Sequence, residues 1–423
     1  MSLGEGPTVR VRGASLVGIA TAARLARWGH QVEVVGTPSP ERCDPPVMTL
    51  PAVWRDLFTK TGQPLAGALN GAHLELVEAP PAMHHFFDGS EVALPTERGA
   101  QVRALEPLVG RTQALAWAQV LDRADTLWQA WRRQGAEHPF DTDADLGPLL
   151  PRTSMGELTA PLTDARLVEL FTSVAARAGA ENEPATRDNR APALLASRWS
   201  VERTFGRWHL IDADTRRAQP LSRLTDLLMT RALSLGVRFT HVHEQHPGSA
   251  RVDVDTLTPV PPRSLLPWRS APRPWAPSFE CSHHDNDLPP GVVTEHVHHR
   301  TEAGAEVTWL WQGHAVVTDW ATRQAPPPGT AGWTVKSFRQ WRERPPLRVD
   351  DTHWRGSAAS HAGNEPWAQL LTGALLAYEV HEHLTGEDIR PTNRNQPLPP
   401  RLRPIPVPRP ADGSNTQFGR APE

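Results

Sequence analysis

A chain of 423 residues, 39% of them hydrophobic, is long enough to bury a large core and to divide into two or more domains. A net charge of -3 gives no general attraction to nucleic acid, two cysteines are too few for a disulfide framework, and no apolar run reaches the length of a membrane span. The first residues lack the basic-then-apolar pattern of a secretory signal, so the expected location is the cytoplasm.

Residues 9–36, VRVRGASLVGIATAARLARWGHQVEVVG, predict a strand, a tight glycine turn, a helix and a second strand. Val9 and Val11 alternate with arginines. Residues 16–28 are alanine-rich and helical in pattern, Gly29 stops the helix, and Val32, Val34 and Val35 form the next strand. Such a unit holds a dinucleotide. Its first glycine turns the chain, the second admits a pyrophosphate, and the third lets the helix pack closely; the helix N-terminus offers N–H groups to the phosphates. The three positions here are Gly13, Ser15 and Gly18, so Ser15 brings a Cβ and a hydroxyl where glycine is usual. Gly36 stands where an acid accepts hydrogen bonds from a ribose, a charge-assisted contact that contributes about 1.5–3 kcal/mol. Restoring an acid, as in Gly36→Glu, is therefore expected to tighten nucleotide binding.

A proline-rich loop, 37–47, carries Arg42 and Cys43. A helix is then predicted from Pro51 to a stop at Gly62. Residues 86–95, FFDGSEVALP, predict a hairpin turning at Asp88-Gly89. A helix over 112–133 places Trp117, Leu121, Ala124, Trp128 and Trp131 on one face, a stripe that suits a core. Leu167, Leu170, Phe171 and Val174 mark another amphipathic helix. Leu221, Leu224, Leu228 and Leu235 share a helical face that ends at Gly236, before a strand from Val237. Residues 250–277 are proline-dense and predict loops, with strands resuming at 291–299, 306–312 and 314–320. Gly363 and Asn364 lead into a helix over 366–384 stopped by Gly386. The basic, proline-rich residues from 389 onward predict disorder.

Histidines cluster at His283, His284, Asp285, Asp287, Glu295, His296, His298 and His299. On a strand His296 and His298 would share a face, a workable geometry for two ligands, but no cysteine joins them. Exposed polar positions of strand and loop are expected instead, His84 and His85 being similar, and no metal is assigned. Neither a Gly-x-Ser-x-Gly elbow nor a Walker loop is present.

Taken in order, several segments resemble the FAD-dependent phytoene desaturases and related carotenoid oxidoreductases, within the amine-oxidase-like flavoproteins. They are the glycine unit at 9–36, TLPAVWRDLFTKTGQPL at 49–65, FFDGSEVALP at 86–95, VERTFGRWHL at 201–210, the helix–Gly–Val segment at 221–239 and SAASHAGNEPWAQLLTGALLA at 357–377. The chain looks like a shortened, divergent member. Departures accompany the match: Ser15, Gly36, the segment IDADTRRAQP at 211–220 in place of a Gly-rich loop, and Asn364 and Glu365 in place of glycines. Glu365 would set a negative charge at a helix start meant to face the flavin.

The resemblance implies an α/β chain (α+β overall) with a Rossmann-like FAD/NAD(P)-binding domain built from discontinuous segments and an inserted substrate domain of mixed sheet and helices. The implied division is a dinucleotide-binding first part at 1–95, a helical cap at 96–220, a dinucleotide-binding second part at 221–260, substrate-domain strands and loops at 261–350, a flavin-facing segment and helix at 351–388, and the tail at 389–423. The implied activity is hydride transfer from an apolar, polyene or lipid-like substrate to FAD. Gly13, Ala14, Ser15, Gly18, Gly36 and Arg42 would hold the nucleotide. Gly363, Asn364, Pro366 and Trp367 would face the flavin, and His361 is the one candidate acid–base group. The substrate domain would form an apolar tunnel, and Trp199 and Trp208 are candidates for its wall or for ordinary core. Because such substrates live in lipid, peripheral contact with a membrane is also implied, with no nucleic-acid partner. The alternative is a degenerate member that has lost FAD and serves as a binding or partner protein.

Overall fold

The computed structural model describes residues 8–36, 45–132, 153–177, 192–241, 250–257, 274–283, 288–300, 304–324, 332–333, 347–357 and 365–390. Elements are numbered along the chain. Five strands form an all-parallel sheet: β1 (Val9–Arg12), β2 (Val32–Val35), β9 (Arg238–Thr240), β10 (Val252–Asp255) and β16 (His353–Arg355), side by side as β16-β10-β1-β2-β9. Their chain order across the sheet is therefore 3-2-1-4-5, that of a dinucleotide-binding fold, with the direction of winding reversing between β1 and β10. Helices α1 (Leu16–Arg27), α9 (Ser222–Ser234) and α10 (Pro366–Thr385) pack around it.

The two faces of this sheet differ because the sequence alternates. Val9, Val11, Val32, Val34, Val252 and Val254 join a buried core with α1 and α10. The intervening residues make a charged row in which Asp253, Arg10, Glu33 and Arg238 are register partners on successive strands. Arg10 Nε donates to Glu33 at 3.4 Å. A parallel sheet sandwiched between helices on both faces would read as continuous apolar runs. The Val-Arg-Val-Arg and Val-Asp-Val-Asp strands instead dictate one apolar and one charged face.

An antiparallel sheet of β3 (Val47–Thr49), β7 (Arg207–Asp212) and β4 (Leu74–Glu78) adjoins it, with β8 (Ala218–Gln219) paired to β7. Between β3 and β4 run α2 (Pro51–Lys60), entered at a proline, and α3 (Leu65–Gly71). The third sheet has the order β15-β11-β14-β13-β12-β5-β6. Its strands are β5 (Ala82–His85), β6 (Glu91–Leu94), β11 (Pro274–His283), β12 (Val293–Arg300), β13 (Gly304–Trp311), β14 (His314–Gln324) and β15 (Gly332–Trp333). The five remaining helices among the described residues are α4 (Arg98–Val109), α5 (Arg111–Trp131), α6 (Met155–Thr159), α7 (Ala165–Arg177) and α8 (Pro192–Phe205). They build a separate core in which Trp117 meets Trp199 edge-on at 5.3 Å and Phe171 at 4.7 Å. Trp199 is thus a core residue.

Helix α10 joins the two main cores. Trp367 and Ala368 belong to the helical one, while Leu370, Leu375, Leu376, Ala377 and Val380 belong to that of the parallel sheet. Gly373 makes the approach to α1 close, since a Cβ there would sit 3.0 Å from both Ala20 Cβ and the Val17 carbonyl oxygen.

Most predicted elements form as expected, with three differences. The 250–277 stretch predicted as loop contains β10, paired in the middle of the parallel sheet, and the start of β11. Four-residue strands buried within a sheet give too short a pattern to stand out beside prolines. The β5–β6 hairpin, grouped by its sequence neighbours with the first dinucleotide-binding segment, instead pairs with β12 in the seven-stranded sheet. Finally, Glu295, His299 and His84 are buried rather than exposed. Alternation along β12 turns Glu295, Val297 and His299 inward and leaves His296 and His298 on the other face. The predicted disordered tail lies outside the described residues apart from 389 and 390.

Candidate functional site

Two groups of residues carry chemistry. The first is the crevice at the carboxyl ends of β1 and β10. Gly13 leaves β1 with φ 104°, and its N–H donates to the Val35 carbonyl at 2.8 Å. A Cβ on Gly18 would lie 2.1 Å from the Gly13 carbonyl oxygen, so no larger residue lets α1 come this near the turn. Ser15 is the N-cap of α1, with φ -73° and ψ 167°, an extended conformation open to any residue. Its Oγ accepts the Gly18 N–H at 3.1 Å and donates to Thr256 Oγ1 at 3.1 Å. The Thr256 hydroxyl in turn donates to the Arg12 carbonyl at 2.9 Å. Serine therefore does structural work at the second position of the glycine motif, tying α1 to the strand across the crevice.

Gly36 closes β2, its N–H donating to the Thr240 carbonyl at 2.9 Å. Its φ of 127° is one that residues with a side chain rarely adopt. Gly13, Ala14, Ser15, Gly18 and Gly36 are thus brought together as the sequence predicts. Thr256 and Leu257 complete the crevice without having been foreseen; the Val252–Val254 alternation was the signal that a strand led into them. Leu257 covers Gly13 so closely that a Cβ there would lie 2.5 Å from its side chain.

The second group is a buried cluster of charges where α7, α8, β7, β12 and the start of α10 converge. Arg207 pairs with Glu295 at 2.5 Å, both almost fully buried, and the Trp309 indole N–H donates to the same carboxylate at 3.0 Å. Arg198 pairs with Glu202 at 2.9 Å and with Glu365 at 2.5 Å. The Trp367 indole N–H also donates to Glu365. Burial pushes the Glu295 carboxyl up, and Arg207, Arg198 and Arg177 more than reverse this, holding it below the usual carboxylate range. Burial lowers Arg198, and Glu202, Glu365 and Glu295 raise it beyond its ordinary value. For Arg177 burial prevails, aided by Arg198, and its guanidinium is pushed down to about 10. His84 Nδ1 and His299 Nε2 lie 2.9 Å apart in a hydrogen bond. Burial, followed by repulsion from Arg177, takes His299 down to about 3, and burial with His299 and Arg177 takes His84 well below its ordinary value. Both imidazoles are neutral at pH 7.

Glu365 precedes α10, but its side chain makes no capping bond to the helix. Pro366 is the first residue of α10, and Trp367 is buried edge-on against Trp128 at 5.9 Å. Arg42, Cys43, His361, Gly363 and Asn364, together with His284, Asp285 and Asp287, lie outside the described residues. His296 and His298 share a face with His85, which stacks on His298 at 4.6 Å and meets His296 at 3.0 Å between ring nitrogens. Among the described residues no group of three His, Cys, Asp or Glu has the geometry of a metal site.

The parallel sheet and the crevice at its carboxyl ends have the arrangement of a Rossmann-type fold. Putrescine oxidase, solved with putrescine bound, superposes with a TM-score of 0.53 at 11% identity, covering 89% of this chain and 99% of that one. An oxidoreductase from Methanosarcina mazei superposes at 0.51 and 11% identity, over 86% and 98% of the two chains. The sequence relatives are carotenoid enzymes, which bears out the resemblance. The chain is 31% identical over 247 residues to a hydroxyneurosporene desaturase of Cereibacter sphaeroides, covering 52% of this chain and 48% of the relative. It is 29% identical over 223 residues to a phytoene dehydrogenase of Streptomyces griseus, covering 45% and 41%. The matched region thus spans about half or less of the length of these relatives. No family model matches.

Proposed function

We propose that the protein is an FAD-dependent oxidoreductase of the desaturase type that removes hydride from an apolar, polyene or lipid-like substrate. The observation that carries this is the sequence similarity to two carotenoid oxidoreductases on a chain whose parallel sheet has the dinucleotide-binding order. The crevice fits a pyrophosphate. Gly13 and Gly18 form a turn that a Cβ would fill, and the first turn of α1 offers N–H groups at the positive end of a helix dipole. One of these, on Gly18, is engaged by Ser15, which leaves those of Leu16 and Val17 as donors. The ribose is served less well, since Gly36 has no side-chain acceptor.

When bound, FAD supplies the hydride-accepting ring. The chain's own residues bind and orient it. Gly13, Ala14, Ser15 and Gly18 would hold the pyrophosphate, with Arg42 as a further cation, and Gly363, Asn364 and Pro366 would face the flavin, while Trp367 is packed in the helical core. The aromatic core of α5, α7 and α8 excludes water from the substrate side. His361 is the candidate acid–base group. The dinucleotide-binding unit comprises the segments 1–95 without the β5–β6 hairpin, 221–260 and 351–388, and the helices of 96–220 with the strands of 261–350 form the substrate domain. No helix among the described residues is long and apolar enough to cross a membrane. A cytoplasmic enzyme working at the membrane surface would meet substrates that live in lipid.

The test is the visible spectrum of the purified protein, followed by titration with FAD. A flavin spectrum, or saturable uptake of FAD, is expected. A colourless protein that ignores FAD at high micromolar concentration would overturn the oxidoreductase reading and leave a binding protein.

A further inference from the structure

Leu257 is the second residue past β10, and its side chain lies over the glycine turn that leaves β1. A Cβ built on Gly13 would meet Leu257 Cγ and Cδ2 at 2.5 Å and Thr256 Oγ1 at 2.9 Å. The bare side of Gly13 is therefore covered by a leucine. This is not a core contact, because Leu257 is half-buried and joins no hydrophobic core formed by the described residues. Its backbone is pinned. The Leu257 N–H donates to Asp255 Oδ1 at 2.9 Å, the Thr256 N–H donates to the Arg12 carbonyl at 3.0 Å, and Ser15 donates to the Thr256 hydroxyl. What is left to move is the side chain, which has other staggered rotamers open to it on its solvent side. In a dinucleotide crevice the bare glycine turn lets a charged pyrophosphate come close, and a leucine offers that charge no hydrogen bond.

We propose that Leu257 sets the affinity of this crevice for a dinucleotide: the leucine rests on Gly13, and a pyrophosphate reaches the turn only when that side chain rotates aside. This rests on the FAD reading above and adds to it a cost that lies outside the glycine motif. Ser15 and Thr256 act as positioning residues, because their bond across the crevice fixes the strand end from which the leucine projects.

FAD would be titrated into the full-length protein and into Leu257→Ala and Leu257→Phe, with flavin fluorescence as the readout and a thermal melt of each protein without FAD. Leu257→Ala is expected to bind about tenfold more tightly than the wild type, the scale of no longer having to uncover half a leucine side chain. Leu257→Phe is expected to bind more weakly. Both should melt close to the wild-type temperature, because the side chain lies outside the cores. A wild type that ignores FAD beside a Leu257→Ala variant that takes it up would also uphold the proposal, with the leucine alone closing the crevice. Unchanged affinity in Leu257→Ala would overturn it and mark the leucine as a bystander. Weaker affinity would overturn it too, and mark the leucine as a wall of the nucleotide site. In both of these cases the FAD reading stands. A Leu257→Ala variant that melts many degrees lower would make the leucine a core residue and overturn the proposal. If none of the three proteins binds FAD, the proposal and the FAD reading fall together.

Discussion

Arg198 on α8 and Glu365 at the start of α10 are ion-paired at 2.5 Å, so the carboxylate that the sequence sets at this helix start is turned onto a guanidinium. The Trp367 indole N–H holds its other oxygen. The charge at this helix end is therefore compensated within the protein.

Glu365→Gln should change FAD affinity by less than about threefold, because little uncompensated charge is removed. Arg198→Gln should cost about 3 kcal/mol in a denaturant titration, since it strands both Glu202 and Glu365 in a largely buried site. A large gain of FAD affinity in Glu365→Gln would show that the carboxylate acts on the cofactor despite its partner.

Gly18→Ala should destabilise by about 1–3 kcal/mol, the cost of overpacking, because the new methyl would stand 2.1 Å from the Gly13 carbonyl oxygen. Ser15→Ala should cost about 1 kcal/mol through loss of the cap, and Ser15→Gly only a few tenths. Since Ser15→Gly also frees the Gly18 N–H, it should bind FAD at least as tightly as the wild type. Thermal melts paired with FAD titrations check all three variants.

Gly36→Glu should not restore a ribose contact. With φ at 127°, a side chain at this position strains the backbone, at a cost of about 1–3 kcal/mol. The expected outcome is a lower melting temperature and unchanged or weaker FAD binding, the reverse of what the sequence alone suggests. Tighter binding in this variant would show that the backbone relaxes to accept the acid.

The parallel sheet was legible in the first 36 residues because one helix and two strands follow each other there with clear periods. β9 was legible too, after the helix that stops at Gly236, but the other two strands were not. β10 and β16 are three or four residues long and return to the sheet from distant parts of the chain, so only pairing, of β10 with β1 and of β16 with β10, reveals them. The glycine positions 13 and 18 were read correctly from spacing. The role of Ser15 was not, since the partner of its hydroxyl, Thr256, is 241 residues away. The buried charge cluster left no trace in sequence. Arg177, Arg198, Arg207 and Glu295 sit on four elements, and each in isolation looks like an ordinary surface residue.

Acid should weaken the protein before its carboxylates titrate. His299 is held at about 3 in the fold, against about 6.5 in an unfolded chain. Its contribution is fully present above pH 6.5 and is lost as the pH falls toward 3, because the unfolded chain takes up the proton first. Between pH 6.5 and pH 5 the loss should be about 2 kcal/mol. His84, shifted the same way, adds to it. Melting curves from pH 7 to pH 5 check this; His299→Gln should flatten the slope, and an unchanged slope would show that these rings are not its source.

Helix α10 puts its first turn in the helical core and its remaining turns against α1. A rigid rod shared by two cores couples their fates. The helical core and the core of the parallel sheet should unfold in one cooperative transition, and a polar residue at Leu370, where the rod passes from one core to the other, should split that transition in two.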